Sequence, residues 1–138
     1  MMTAETKRIS LIWEHRGMIF RGGAEGGPEI VIDGDNAEGP GPMLTLLLAA
    51  AACSGSDVVS ILEKMRIPPE RFRIEASGVR REKEPRRYTA IHLDYHLSGG
   101  GVDEPRARRA IDLSLEKYCS VIASLAPDIT ITYGLTLA

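Results

Sequence analysis

Two cysteines are the residues of this 138-residue chain best suited to redox chemistry. Cys53 follows the apolar run LLLAAAA, and Cys119 lies far downstream in LEKYCSVIASL. A cysteine thiolate can attack a peroxide, bind a metal or exchange with a disulfide, whereas a thiol buried among apolar groups is inert. Because cysteine is among the most frequently buried residue types, core packing and redox activity are both open interpretations.

A second set of polar residues alternates along a predicted strand. His92, Asp94 and His96 share one face of YTAIHLDYHL, where imidazoles about 7 Å apart along the backbone can converge on zinc. A zinc site needs further ligands, and the sequence places none in an evident position. We therefore expect a solvated polar face here and no metal site.

Charge and composition argue against several classes of protein. The net charge is −2, and the 17 lysines and arginines are spread along the chain, so no basic face for nucleic acid is indicated. The N-terminal MMTAETKRIS is polar, and the apolar run 43–53 is about half as long as a membrane span. Two cysteines do not form a disulfide framework. We expect a cytoplasmic protein with neither a nucleic acid nor a membrane as partner.

The order of predicted elements indicates a single α+β domain over residues 1–138. Pro42 suits the first position of a helix, and the pair Pro68 and Pro69 ends it. The connections are too short for repeated strand–helix–strand crossovers, so we expect mainly antiparallel pairing. The predicted elements are N-terminal strands 7–33, a central helix 42–66, strands 71–98, a second helix 104–126 and a final strand 128–137.

The central helix is apolar on every side in its early turns, from Leu44 to Ala52. A helix of this kind is buried all round, and its small residues allow a close neighbour. A chain of this size with 5% aromatic residues offers little cover for such a helix. We therefore expect a homodimer, because a closed two-fold interface would supply the missing cover.

The cysteine helix and its distant partner together resemble a known family. The pattern GPMLTLLLAAAACSGSDVVSILEKMR, followed by a second cysteine in LEKYCSVIASL, is similar to the OsmC/Ohr superfamily over nearly the whole chain. The resemblance implies an OsmC-like α+β fold, in which antiparallel sheets wrap around two long central helices of an intertwined homodimer. It also implies thiol-dependent reduction of organic hydroperoxides, with Cys53 as the peroxidatic and Cys119 as the resolving cysteine. An external dithiol is then the reductant, and no cofactor is required.

The resemblance further implies an arginine that stabilises the thiolate and a carboxylate that holds the arginine. Arg16 and Arg21 are the candidate arginines, and Arg21 is preferred. The founding peroxidases carry a glutamate ten positions before the first cysteine, where this chain has Met43, and sister sequences carry it at the next position, here leucine. Glu38, Asp57 or no residue at all can replace it, although a hydrogen-bonding role in helix packing is favoured for Asp57.

The apolar wall of the cysteine helix predicts a pocket for the organic tail of a peroxide. Met43, Leu46, Leu47 and Asp57 are its predicted contacts. The missing glutamate leaves a second function open, in which a dimeric OsmC-like protein binds an apolar small molecule and has weak or no peroxidase activity. A purely structural protein would be indicated if the helix were packed solid, without any cavity.

Overall fold

A computed structural model of the chain describes residues 3–138, which form two compact units. The first unit ends at Leu46 and the second covers Leu47–Ala138. The first is an antiparallel three-stranded sheet in chain order. Its strands are β1 (Ser10–Trp13), β2 (Ile19–Gly23) and β3 (Ile30–Asp33). The prediction of a single domain over 1–138 stays a prediction.

The loop that follows β3 is organised by one buried carboxylate. The Asp33 side chain accepts hydrogen bonds from the backbone amides of Asp35 (2.9 Å), Ala37 (3.1 Å) and Glu38 (3.0 Å). These amides lower the pKa of Asp33, with that of Glu38 contributing most, because they stabilise the ionised form. The carboxylate thereby fixes the backbone of the loop and the position of Glu38.

Helix α1 (Pro42–Lys64) begins in the first unit and continues through the second. Ala50, Val58 and Leu62 have no exposed surface, whereas Leu44 and Leu48 on other sides of the helix are 45% and 57% exposed. The expectation that this helix is buried all round is therefore wrong for one chain. The small residues do permit close packing, because a Cβ on Gly55 would lie 3.2 Å from Cδ1 of Ile74.

The second unit contains a mixed sheet in the order β4 (Arg71–Arg80), β5 (Tyr88–Ser98) and β6 (Thr130–Leu137). Strands β4 and β5 are antiparallel, as expected, but β5 and β6 are parallel. The expectation of antiparallel sheets misses this pair. Parallel neighbours need a long crossover, and the helical segment between β5 and β6 provides one.

The buried face of β5 forms the core of the second unit together with the helices. Its side chains alternate as predicted, with one set buried and the intervening polar set half-buried. This period of two places the polar residues on the opposite face of the sheet. The most deeply buried apolar and aromatic side chains of the unit are Val58, Leu62, Ile91, Leu93, Tyr95, Leu97 and Ile111.

The predicted second helix over 104–126 is interrupted. Helix α2 (Glu104–Leu113) is followed by a π-helical turn (Ser114–Tyr118) and by a short helix α3 (Ser120–Ala123). Between the last two, Cys119 adopts an extended conformation with φ −70° and ψ 101°. Its amide donates to the carbonyl oxygen of Ser114 at 2.7 Å, five residues back, which is the hydrogen bond that defines a π-turn. The fold is α+β, but with one long helix and one broken helix.

Candidate redox site

The two cysteines meet in the second unit. Cys53 lies on α1 and is half-buried, whereas Cys119 is only 3% exposed. Both are free thiols, and they lie close enough for Cys53 to raise the pKa of Cys119. Two thiols that come this close from distant parts of the chain are candidates for a disulfide.

The surroundings of Cys119 favour its neutral thiol. Burial is the main cause that raises its pKa to about 11, and the backbone N–H of Ile122, which donates to the sulfur, partly offsets it. The interaction with Cys53 and the nearby charge of Asp57 raise the value further. Cys119 is therefore protonated at neutral pH, and the more accessible Cys53 is better placed to react first with an external oxidant.

A buried chain of hydroxyl groups lies beside the cysteines. The hydroxyls of Ser54 and Tyr95 are 2.6 Å apart, and the Ser114 hydroxyl lies 2.8 Å from both the Ser54 hydroxyl and Oδ2 of Asp57. The Ser114 hydroxyl is placed as the donor toward both Ser54 and Asp57, so its single proton is shared between two acceptors. Between Ser54 and Tyr95 either hydroxyl can donate.

Tyr95 anchors the far end of this hydroxyl chain on the sheet. Burial raises its pKa to about 12, although the hydrogen bond with Ser54 acts in the opposite direction. Phe72 stacks on its ring at a centroid distance of 6.4 Å, and Tyr133 meets it edge-on at 5.9 Å. The phenol therefore stays protonated and remains a hydrogen-bond donor at neutral pH.

Sequence reasoning missed three members of this constellation: Ser54, Tyr95 and Ser114. Their common signal is a polar group at a position where the helical or strand pattern demands an apolar one. Ser114 is fully buried in a helical stripe, and Tyr95 is fully buried among the apolar residues of β5. Buried polar groups need partners, so such positions on adjacent elements can be read together. Asp57, which was predicted, is the acceptor at the end of the chain.

In the first unit, each candidate arginine has its own carboxylate. Arg16 forms a two-pronged ion pair with Glu38, one of the residues considered as a substitute for the missing glutamate. The pair lowers the pKa of Glu38, chiefly through the hydrogen bond from Arg16. Arg21 makes a single contact, in which its Nε donates to Glu14 at 2.9 Å.

The predicted contacts of the peroxide tail differ in burial. Leu47 is 7% exposed and belongs to the core, while Met43 and Leu46 are half-buried. Asp57 lines a small cavity of about 360 Å³. A larger groove of about 680 Å³ lies between α1 and β4, and neither cysteine lines it. The groove is lined mainly by apolar and small residues, including Leu48, Ala51, Ala52, Gly55, Val59 and Ile74.

On the polar face of β5, neighbouring side chains hold the imidazole of His92. Nδ1 of His92 is 2.6 Å from the Thr132 hydroxyl, and Nε2 is 3.0 Å from Oδ1 of Asp94. Across residues 3–138, no three histidine, cysteine or acidic side chains are grouped as a metal site would require.

Comparisons with known proteins agree with this fold. Residues 34–134 match the model of the family described as OsmC-like protein. Protein YhfA of Escherichia coli strain K12 is 39% identical over 119 residues, which cover 86% of this chain and 89% of YhfA.

Solved structures extend the match to nearly the whole chain. A hypothetical protein from Aquifex aeolicus VF5 superimposes with a TM-score of 0.86 at 33% identity, over 98% of both chains. An organic hydroperoxide resistance protein OsmC from Legionella pneumophila has the same fold, with a TM-score of 0.70 at 12% identity over 98% of this chain and 99% of its own. On the family match and the identity to YhfA, the chain belongs to the OsmC-like family.

Proposed function

We propose that this protein reduces organic hydroperoxides, with Cys53 as the attacking thiol and Cys119 as the resolving thiol. The observation that carries the proposal is the proximity of two free thiols, one half-buried and one buried, which interact strongly enough to raise the pKa of Cys119. The family supports it, since OsmC-like relatives include a protein named for organic hydroperoxide resistance. The burial difference supports this order of roles, because a peroxide reaches the more exposed sulfur first.

The reaction proceeds in two balanced steps. The Cys53 thiolate attacks the outer peroxide oxygen, the O–O bond breaks, and the alkoxide leaves as an alcohol after it takes up a proton. Cys53 is thereby oxidised to a sulfenic acid. The sulfur of Cys119 then attacks the sulfur of Cys53, and the S–O bond breaks. The oxygen leaves as water with the Cys119 proton, and a disulfide remains.

An external dithiol returns the enzyme to its starting state. A thiolate of this reductant attacks the disulfide, and its second thiol displaces the mixed disulfide, so two electrons pass to the protein. The cycle needs no cofactor or metal, because sulfur carries all of the redox change.

The proposal is tested by a stoichiometric reaction of the reduced protein with cumene hydroperoxide. One equivalent should remove two thiols per chain. Cys53→Ser should abolish the loss, and Cys119→Ser should allow only the oxidation of Cys53. If both thiols of the native protein survive excess peroxide, the family membership describes the fold alone.

Within this function, we propose Arg16 rather than Arg21 as the arginine that the resemblance implies for the Cys53 thiolate. The resemblance calls for an arginine that a carboxylate holds, and Arg16 is held by both oxygens of Glu38. A two-pronged pair fixes the plane of a guanidinium, which a single contact such as that of Arg21 does not. Glu38 would then take the role of the missing glutamate.

The expected assembly is a homodimer. OsmC/Ohr proteins commonly act as dimers, and several large apolar side chains of this chain are exposed, among them Ile9, Leu11 and Leu48. Helix α1 has the length and composition of a membrane span, but OsmC-like proteins are soluble, which marks it as a core helix. We propose that the protein acts in the cytoplasm, where dithiol reductants are available.

The groove beside α1 favours a second candidate function, the binding of an apolar small molecule. Its volume of about 680 Å³ lies in the range of ligand pockets, and its walls are mainly apolar. Under this alternative, an apolar fluorescent dye should bind the assembled protein, and Leu48→Glu should abolish the binding while Cys53→Ser leaves it unchanged. Absence of dye binding by the native protein would exclude this function.

A further inference from the structure

Ser114 links the two polypeptide segments that carry the cysteines. Its carbonyl oxygen accepts the hydrogen bond from the amide of Cys119 at 2.7 Å and so closes the π-turn. Its hydroxyl lies 2.8 Å from the hydroxyl of Ser54, the residue next to Cys53 on α1. One residue therefore connects the backbone of Cys119 to the helix of Cys53.

The side chain of Ser114 is held on both sides. It is fully buried, and as a donor it lies 2.8 Å from both Oδ2 of Asp57 and the hydroxyl oxygen of Ser54. Asp57 and Ser54 lie on successive turns of α1, so the hydroxyl is fixed to that helix at two points. Replacement by alanine would remove a hydrogen bond from the buried Ser54 and from the half-buried Asp57, which costs more than the loss of an exposed one.

We propose that Ser114, held by Asp57 and Ser54, is a positioning residue for disulfide formation: it fixes the π-turn that places the Cys119 sulfur against Cys53. This inference rests on the proposed function, in which that disulfide is the product of the second step. The hydrogen bonds of Ser114 do not include the Cys53 sulfur. The residue acts on the pairing of the thiols and leaves the attack on peroxide to Cys53.

Effective concentration links the position of Cys119 to the stability of the disulfide. Two thiols held in bonding geometry form a disulfide far more readily than two thiols on segments that move independently. A continuous helix would point residue 119 in another direction. The extended conformation of Cys119 breaks the helix at this position. Freeing the π-turn from α1 lets Cys119 sample positions away from Cys53, so the reduced form gains freedom and the disulfide becomes easier to reduce.

The test is the equilibrium of the disulfide between Cys53 and Cys119 in buffers of oxidised and reduced dithiothreitol, with no peroxide present. Samples are acid-quenched and alkylated, and the disulfide is quantified by mass spectrometry of the intact chain. Ser114→Ala should lower the equilibrium constant about tenfold, or raise the potential by about 30 mV for this two-electron couple. The rate at which cumene hydroperoxide oxidises Cys53 should change by less than about twofold, since its own contacts are kept.

Matched variants separate positioning from general damage. Asp57→Asn keeps an oxygen acceptor for Ser114 and should stay within about threefold of the native equilibrium constant, whereas Asp57→Ala should match Ser114→Ala. Ser56→Ala is the control on the same helix, because the Ser56 hydroxyl donates back to the carbonyl of Ala52 at 2.8 Å. It should leave the equilibrium constant unchanged.

Each outcome decides the inference. An unchanged equilibrium constant in Ser114→Ala and Asp57→Ala would overturn it, and so would an equal fall in Ser56→Ala. If Ser114→Ala does not fold, Asp57→Asn and Asp57→Ala are compared instead, and equal equilibrium constants in these two variants would overturn the inference. A native protein that forms the disulfide but does not react with peroxide would refute the proposed function and leave the positioning role intact. A native protein that forms no disulfide in any buffer would refute both.

Discussion

The two units of the chain differ in how they bury apolar surface. The second unit has a core of its own, in which Val58, Leu62 and Leu93 have no exposed surface. The first unit leaves large apolar side chains open, with Ile9 70% and Leu11 50% exposed. Its order comes instead from strand pairing, the buried Asp33 and ion pairs at its surface.

This difference indicates separate roles for the two units. A three-stranded sheet with exposed apolar residues is marginal by itself and needs cover from another surface. The second unit, in contrast, supplies a rigid frame for the two thiols. We infer that the second unit provides the sulfur chemistry, and that the first contributes charge and apolar surface to the proposed homodimer.

The largest expected effect tests the core of the second unit. Leu62→Ala should lower the free energy of unfolding by about 3 kcal/mol, because it empties a fully buried site. Leu11→Ala should cost the dissociated subunit less than about 1 kcal/mol and act mainly on the dissociation of the homodimer. Urea denaturation at several protein concentrations measures both. If the two substitutions lowered the free energy of unfolding of the dissociated subunit equally, the contrast between the units would be contradicted.

The second prediction tests the charge contribution of the first unit. Arg16→Ala should slow the oxidation of Cys53 by cumene hydroperoxide about 100-fold, or about 2.7 kcal/mol of activation free energy, if its charge stabilises the reacting thiolate. Arg21→Ala is the matched control, since it also breaks one exposed ion pair, and it should change the rate little. The reverse ranking would assign the role to Arg21 instead. If Arg16→Ala lowers the free energy of unfolding by as much as it raises the activation free energy, the slower rate would reflect structural damage.

The third prediction concerns stability at high pH. The pKa of Cys119 is raised from 9.0 to about 11, so between these values its thiol ionises in the unfolded chain but not in the native one. The unfolded chain then binds fewer protons, and stability falls with rising pH, by at most about 1.4 kcal/mol per pH unit. The pKa of Tyr95, raised from 10.0 to about 12, adds a similar loss at higher pH.

Denaturation of the reduced protein between pH 8 and pH 11 checks this sign. Cys119→Ser should delay the decline by about one pH unit, since only the tyrosines with raised pKa values, Tyr95 foremost, then contribute. Stability that rises over this range would show that the thiol is not held in its neutral form.

The positions of most elements follow from local patterns in the sequence. The alternation in β5 predicts its buried face, and Pro42 and the pair Pro68–Pro69 predict the limits of α1. The parallel pairing of β6 with β5 was not predictable in this way, because strand direction depends on the path of the crossover. The open face of α1 was also missed, because apolar composition reports what a helix tends to bury and not what one chain can cover.

The candidate site was predictable in part. The two cysteines stand out by residue type, and Asp57 by its place one turn after Cys53. The π-turn before Cys119 was not predictable, because SLEKY reads as ordinary helix, and its conformation depends on contacts between Ser114 and α1. Sequence patterns report the periodicity of an element, whereas this turn is specified by packing between two elements.

Cys53 and Cys119 are proposed to act as one redox pair within a single chain, and this is the central claim. The most direct test starts from the reduced protein and one equivalent of cumene hydroperoxide. After the reaction, the sample is acid-quenched, the remaining free thiols are alkylated, and the peptides are mapped by mass spectrometry. We expect one product, an intrachain disulfide that joins the peptides containing Cys53 and Cys119. A Cys53 sulfinic acid beside an alkylated Cys119, or a disulfide between two chains, would contradict the claim.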